Sequence, residues 1–161
     1  MTLIIRQMVE NDIIFVQEIA KKSWHTTYEG IIPRDIQDRF LQAAYCNDRL
    51  KVRLENSPFL VAIYEESIVG FANFSNVTNG VAELLAIYLL PDIQGKGIGT
   101  ALLQEGIKIL HDLKSLIVCV EKENTIGMDF YQAKGFIKME EFDDVFDGHI
   151  FKTVKLCLTI A

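Results

Sequence analysis

Between Leu89 and Thr100 the sequence reads Leu-Leu-Pro-Asp-Ile-Gln-Gly-Lys-Gly-Ile-Gly-Thr, with glycines at 95, 97 and 99. An apolar run enters this segment and an amphipathic one leaves it, so the glycines fall where a strand ends and a helix opens. Free amides and the macrodipole at a helix N-terminus favour an anion, and glycine lets main chain approach a phosphate closely. Lys96 adds a charge and Thr100 a hydroxyl. Two common phosphate loops are excluded by spacing. A P-loop needs GxxxxGK[ST], which Lys96-Gly97-Ile98 does not supply. The dinucleotide fingerprint GxGxxG would place its third glycine on Thr100, counted from Gly95, or on Leu102, counted from Gly97. A nucleotide-binding α/β domain is disfavoured accordingly, and a glycine-rich turn without a ligand is the plainer alternative.

Two further places could carry proton chemistry. Asn124 and Tyr131 are seven residues apart, two helical turns, so they share a face roughly 10.5 Å apart along the axis. Asn124 alone reads as a helix N-cap and Tyr131 alone as a core aromatic. Glu83 interrupts the apolar run Val81 to Leu90. Burial there raises a carboxyl pKa and makes a better base near neutrality; otherwise Glu83 pairs with a lysine or faces solvent.

Gln94, Gly97 and Gly99 spell Q-x-x-G-x-G, which resembles the pyrophosphate-binding loop of the GNAT superfamily of N-acetyltransferases. Asn124, Phe130-Tyr131 and Gly135-Phe136 resemble that family's second signature, in the same order and spacing. The likeness covers about Phe59 to Phe136; the first 57 residues and the tail match mainly in pattern. It implies a GNAT-like fold, acetyl-CoA as cosubstrate, no metal, and direct transfer of acetyl to a primary amine. Such an amine has a reference pKa near ~10.4, so it must lose a proton to a base before attack. The oxyanion that forms needs a donor, and the leaving thiolate needs a proton.

By that resemblance the backbone of Ile87, Tyr88 and Leu89 meets the acetyl and pantetheine end. Gln94, Gly95, Lys96, Gly97, Ile98, Gly99 and Thr100 form the pyrophosphate loop. Asn124 contacts the pantetheine arm and Tyr131 is the general acid. Glu83, eleven residues before Gln94, matches the base of histone-acetylating members. Other members place a glutamate five residues before the asparagine, where this chain has Cys119. Glu121, two positions on and on the same side of a strand, is a second candidate.

The acceptor is expected near Ser23 to Pro33, which resembles the corresponding segment of bacterial members that include spermine/spermidine N-acetyltransferases. Trp24, Tyr28 and Glu29 would form a wall for a cation, since aromatic faces and carboxylates both attract ammonium; a helix–helix corner with core aromatics is the alternative. His25 reads as structural or exposed. Asp143, Asp144 and Asp147 form either a second acidic rim or a solvated turn. The favoured reading is an acetyl-CoA-dependent N-acetyltransferase of a small cationic acceptor such as a polyamine. The alternatives are acetylation of a protein N-terminus or lysine, and a non-catalytic CoA-binding sensor.

These residues need elements to hold them. The pattern predicts an edge strand at Leu3 to Arg6, a helix capped by Asn11 or Asp12 and ended by Gly30, and a second helix opening at Pro33. A third helix runs from Asn47 or Asp48 to Glu55. Strands follow at Phe59 to Tyr64, Ile68 to Ser75 and Val81 to Leu90, the last buried on both faces. A helix from Gly97 to His111 and a buried strand at Ser115 to Val120 complete a right-handed βαβ unit. A helix capped by Asn124 or Thr125 reaches Lys134. Strands Phe136 to Phe142 and Ile150 to Ile160 flank an acidic turn over 143–148. The fold class is therefore mixed α/β: a mostly antiparallel central sheet, one parallel pair, and helices on both faces.

Composition agrees with a single domain over residues 1–161. The chain has 161 residues, half of them apolar, and a net charge of −6, enough for a substantial core. The acidic balance argues against nucleic acid. No apolar stretch is long enough to cross a membrane, and Arg6, Glu10, Asp12 and Glu18 are foreign to a secretory signal. Cys46, Cys119 and Cys157 are widely spaced and read as reduced thiols, the latter two in buried strands. A cytoplasmic protein without membrane partners is expected, with pairing of sheet edges into a homodimer as a possibility.

Overall fold

A computed structural model describes residues 2–160. In chain order the elements are β1 (Leu3–Gln7), α1 (Ile13–Tyr28), α2 (Arg34–Tyr45), α3 (Asn47–Asn56), β2 (Phe59–Tyr64), β3 (Ser67–Phe74) and β4 (Val81–Leu89). There follow α4 (Ile98–Ile109), β5 (Ser115–Glu121), α5 (Thr125–Ala133), β6 (Ile137–Phe146) and β7 (His149–Thr159). The strands form one seven-stranded sheet in the order β1-β2-β3-β4-β5-β7-β6. Only β4 and β5, joined through α4, run parallel; every other neighbouring pair is antiparallel.

Strand alternation divides the apolar residues between two layers. Leu60, Ala62, Phe74, Leu84, Val118 and Leu156 pack with Ile98, Leu102 and Leu103 of α4. On the other face, Phe59, Val61 and Phe71 pack with Val16 and Ile19 of α1 and Leu50 of α3. A smaller corner of Trp24, Tyr28, Ile32 and Ile36 closes the junction of α1 and α2. The start of α1 is fixed by Asp12, which takes two hydrogen bonds from Arg6 (2.7 and 3.0 Å) and one from the Val9 amide (2.9 Å).

Several expectations are corrected. The N-cap of α3 is Cys46, one residue before Asn47. β4 and β5 alternate between buried and accessible residues and are not buried on both faces; the face opposite α4 is only partly covered, so Cys119 is exposed and Cys157 half-buried. The acidic turn shrinks to Asp147-Gly148, both at positive φ (51° and 78°), the pair a two-residue type I′ hairpin demands. Asp143 and Asp144 lie in β6, where Asp143 stands opposite Lys152 and accepts its ammonium at 2.9 Å.

The approach of α4 to the sheet depends on Gly106. A Cβ built there would lie 2.0 Å from Cζ of Phe74, a ring that is itself fully buried. Alanine for glycine in a helix normally gains about 1 kcal/mol. Here overpacking reverses the sign, and Gly106→Ala is expected to destabilise by about 1–3 kcal/mol in denaturant unfolding. A gain in stability would contradict this packing.

Candidate active site

β4 and β5 pair over four residues only, Val81–Leu84 with Ser115–Val118. Beyond that point β4 stays on β3 as far as Leu89, and β5 stays on β7 as far as Glu121. The two strands therefore part toward their C-terminal ends. The parting begins at a bulge: Asn73 pairs with Ala86 and Phe74 with Leu84, leaving Leu85 without a partner in β3. An extra residue of this kind bends its strand. Asn73, wholly buried, stands beside it. Its amide donates to Ser57 Oγ (2.9 Å) and the Pro58 carbonyl (3.0 Å) and accepts from Arg53 Nε (3.1 Å).

The wedge between the strands is a cavity of about 440 Å³. Leu84 to Leu89 form one wall and Val118 to Val120 the other. The loop from Gln94 to Thr100 closes one end, and Asn124, Phe130 and Tyr131 of the α5 segment lie across it. Of the residues singled out in the sequence, Ile87, Tyr88, Leu89, Gln94, Gly95, Gly97, Ile98, Gly99, Thr100, Asn124, Tyr131 and Tyr28 all line this one cavity. Lys96 sits in the same loop, exposed and outside the lining.

The loop is shaped to receive something. Gly95 and Gly97 adopt left-handed φ of 85° and 79°, and a Cβ at either would meet no atom within 4 Å. Gly97 is the N-cap of α4, and no side chain caps the helix. The first helical bond runs from the Ala101 amide to the Gly97 carbonyl at 3.0 Å, so the amides of Ile98, Gly99 and Thr100 have no partner within the helix. They present the positive end of a twelve-residue helix to the cavity. Asn124 is both cap and lining, since its side chain accepts from the Gly127 amide at 2.9 Å.

Across the cavity stands a cluster of phenols. Tyr131 is 8% exposed, held edge-on between Phe130 and Phe136 at centroid distances of 5.4 Å. Burial, with the neighbouring Tyr28, holds its phenol well above the ordinary range. Burial likewise pushes Tyr28 up to about 12, against the opposing influence of the Tyr88 hydroxyl and the Asn124 side chain. Burial raises Tyr88 well above the usual value. All three are protonated at neutral pH.

The remaining candidates divide. Glu83 does not line the cavity. It is half-buried on the sheet face opposite α4; burial raises its carboxyl and Lys155 partly offsets the effect. Glu121, the second candidate base, lies within electrostatic range of Tyr28. Trp24 packs against Tyr28 at a centroid distance of 4.7 Å but does not itself line the cavity. Trp24 is buried and stacks on Phe40 at 4.5 Å. Its indole N–H favours the ionised form of the Tyr88 hydroxyl but makes no hydrogen bond of normal geometry. Glu29 faces away, pairs with Arg34 at 2.7 Å, and borders a separate hollow between α1 and α2. The chain leaves α1 after Tyr28 and turns at Gly30, so Tyr28 faces inward and Glu29 outward. His25 pairs with Asp38 at 2.9 Å, a structural role. Asp147 is engaged by Arg39.

Sequence reading missed Ser23, whose hydroxyl donates to the Leu89 carbonyl at 2.6 Å and ties α1 to the end of β4. It also missed Asn73, because a lone asparagine in a strand carries no local signal of the bulge it supports. Among the described residues no group of three or more His, Cys, Asp or Glu is placed to hold a metal ion, and no helix is long and apolar enough to cross a membrane.

The sequence matches the model of the Acetyltransferase (GNAT) family over residues 16–136. It is 32% identical over 152 residues to the spermidine N(1)-acetyltransferase of Thermoplasma acidophilum, a match covering 89% of this chain and 92% of that protein. It is 33% identical over 135 residues to YuaI of Bacillus subtilis, an uncharacterized N-acetyltransferase, covering 80% and 77% of the two chains. The crystal structure of the PaiA N-acetyltransferase from Thermoplasma acidophilum in complex with coenzyme A superposes with a TM-score of 0.84 at 27% identity, covering 96% of this chain and 98% of that one.

If the open loop receives a phosphate-bearing ligand, Gly97→Asp should weaken coenzyme A binding by about 100-fold or more in calorimetric titration, roughly 3 kcal/mol. It adds a negative charge at the helix N-terminus and strains a left-handed residue. Gly97→Ala, which adds only the strain, should weaken binding less. Normal affinity in the aspartate variant would remove the loop from that role.

Proposed function

This chain belongs to the GNAT family of acetyltransferases, and from that premise we propose that it acetylates a primary amine of a small polycation of the spermidine class. It is an N-acetyltransferase that uses acetyl-CoA. The proposal is its acceptor and the division of labour among its residues. The observation that carries the site assignment is the parting of β4 from β5, with the uncapped amides of α4 at one end and Tyr131 across it.

The residues fit acetyl-CoA. The amides of Ile98, Gly99 and Thr100, over the open space at Gly95 and Gly97, suit a pyrophosphate, and Lys96 adds a charge at the rim. The main chain of Ile87, Tyr88 and Leu89, no longer paired to β5, offers amide and carbonyl groups to the amide-bearing pantetheine arm. Bound there, acetyl-CoA supplies an acetyl thioester. Tyr131 Oη, buried and protonated, holds the proton for the departing sulfur. Glu83, whose carboxyl is pushed up by burial and partly held down by Lys155, takes the proton of the acceptor ammonium, directly or through water.

The acceptor side is carboxylate-rich. Glu83, Glu140 and Asp144 all act electrostatically on Cys119, and Glu121 lies two residues beyond it on the same strand face. This face suits an amine flanked by further ammonium groups. The name of the Thermoplasma acidophilum relative supports the same class.

The test is thiol release from acetyl-CoA across polyamines, aminoglycosides, amino acids and short basic peptides. Spermidine or a close polyamine should give the highest kcat/KM; a basic peptide as the preferred acceptor would overturn the polyamine reading. Tyr131→Phe should lower turnover by about 10- to 100-fold, toward the low end of general-acid effects, with acetyl-CoA affinity little changed. Unimpaired turnover would remove Tyr131 from the proton path. Because the Glu83 pKa is raised, kcat/KM should fall as pH drops through a value above that of an ordinary carboxylate. Glu83→Gln should lower the rate about 100-fold or more and abolish that acid limb; an unaltered limb would assign the base elsewhere.

A further inference from the structure

Lys155 is a half-buried lysine in β7 with no hydrogen bond and no ion pair among the described residues. It stands directly across from Cys119 in the β5–β7 register, and Cys119 lines the cavity between β4 and β5. Val118, Val120, Val154 and Leu156 turn to the α4 core, so Cys119 and Lys155 share the opposite face. Glu83 is on that face too, and its carboxyl and the Lys155 ammonium influence one another. Glu140, on the far side, is the register partner of Lys155 in β6, yet they form no ion pair within 4 Å. Nearby lysines are engaged: Lys152 and Lys138 of the C-terminal hairpin with Asp143 and Glu141, and Lys122, just past β5, with Glu141. Lys155 alone of these four stands unpaired, within electrostatic range of Glu83 and directly across from Cys119 in the cavity wall.

We infer that Lys155 is an internal acceptor: without a bound amine, the protein acetylates Lys155 Nζ from its own acetyl-CoA. The inference rests on the proposed site. Lys155 Nζ gives one proton to Glu83 and through it to solvent. The freed amine forms a nitrogen–carbon bond to the acetyl carbonyl as the carbon–sulfur bond breaks. The second nitrogen-bound proton leaves with formation of the amide, and the sulfur is protonated by Tyr131 Oη, which regains a proton from solvent. The products are acetyl-lysine, free coenzyme A and one net proton. The modification removes a cation from a face that carries Glu83, Glu121, Glu140 and Asp144, so an external polycation meets a more negative surface.

The experiment is incubation of the purified protein with trideuteroacetyl-CoA, with and without spermidine, followed by intact mass and peptide mapping. One label should map to Lys155, faster than to exposed Lys21 or Lys51 by tenfold or more. Lys155→Arg should lack it, Gly97→Asp should slow it, and spermidine should suppress it. Spermidine-dependent thiol release without label on Lys155 would overturn the inference and leave the enzyme's proposed reaction standing. Label spread evenly over surface lysines, or unaffected by Gly97→Asp, would also overturn it, as uncatalysed chemistry. An independent readout uses no acetyl-CoA: Lys155→Gln, which imitates the modified state, should bind spermidine several-fold more tightly by calorimetry. Unchanged affinity would show that Lys155 does not share the acceptor's place.

Discussion

The structure turns on main chain that has lost its partner. Where β4 leaves β5, two strands in mid-sheet give up hydrogen bonds that a continuous ladder would satisfy, and buried amide and carbonyl groups are costly to leave unpaired. That cost is tolerated because the parting is braced on both sides. β3 and β7 keep their pairing to the ends of the strands. The extra residue Leu85 bends β4 beside the buried network of Asn73, Arg53 and Ser57, and the Ser23 hydroxyl fastens the last turn of β4 to α1. In the proposed reading the unpaired groups pair with a ligand that itself carries amides.

The parallel connection supplies the other half. A right-handed crossover from β4 to β5 has to place its helix on one face of the sheet, with the helix start next to the point where the strands separate. The amide end of α4 therefore faces the opening because of topology, and the glycines only keep the approach clear. The opposite rim is dry and phenolic, with Tyr28, Tyr88 and Tyr131 buried together, while the face beyond Cys119 is wet and rich in carboxylates. In the proposed reading, the group that holds a proton sits in the first environment and the groups that attract cations sit in the second.

The parts legible in the sequence were those whose chemistry is local. Gly95, Gly97 and Gly99 announce a tight loop at the start of a helix, the first two by adopting left-handed φ, and Asn124 before a short helix announces a cap. Both also carry the family signature. What the sequence concealed depended on distant partners. Trp24 and Tyr28, one helical turn apart, share the buried face of α1 and fill a corner with Phe40, while the turn at Gly30 sends Glu29 out to Arg34. Val81 to Leu90 read as buried on both faces because an apolar strand that lines a cavity has the same composition as one that lines a core. Asp143 and Asp144 read as turn because they stand close before Asp147-Gly148, a turn pair in its own right; cross-strand Lys152 holds the first of them in β6.

The cavity is bounded by residues from both sides of the sheet, Leu84 and Val118 from the α4 side and Leu85 and Cys119 from the other. It is a window through the sheet, and the sheet is its frame. In the proposed reading a donor and an acceptor enter from opposite sides and need not exchange places, so neither blocks the other's exit, and both can be resident at once. The reaction order this favours is sequential, through a complex of enzyme and both substrates. A single molecule with a coenzyme at one end and a polycation at the other would thread the frame and occupy it whole.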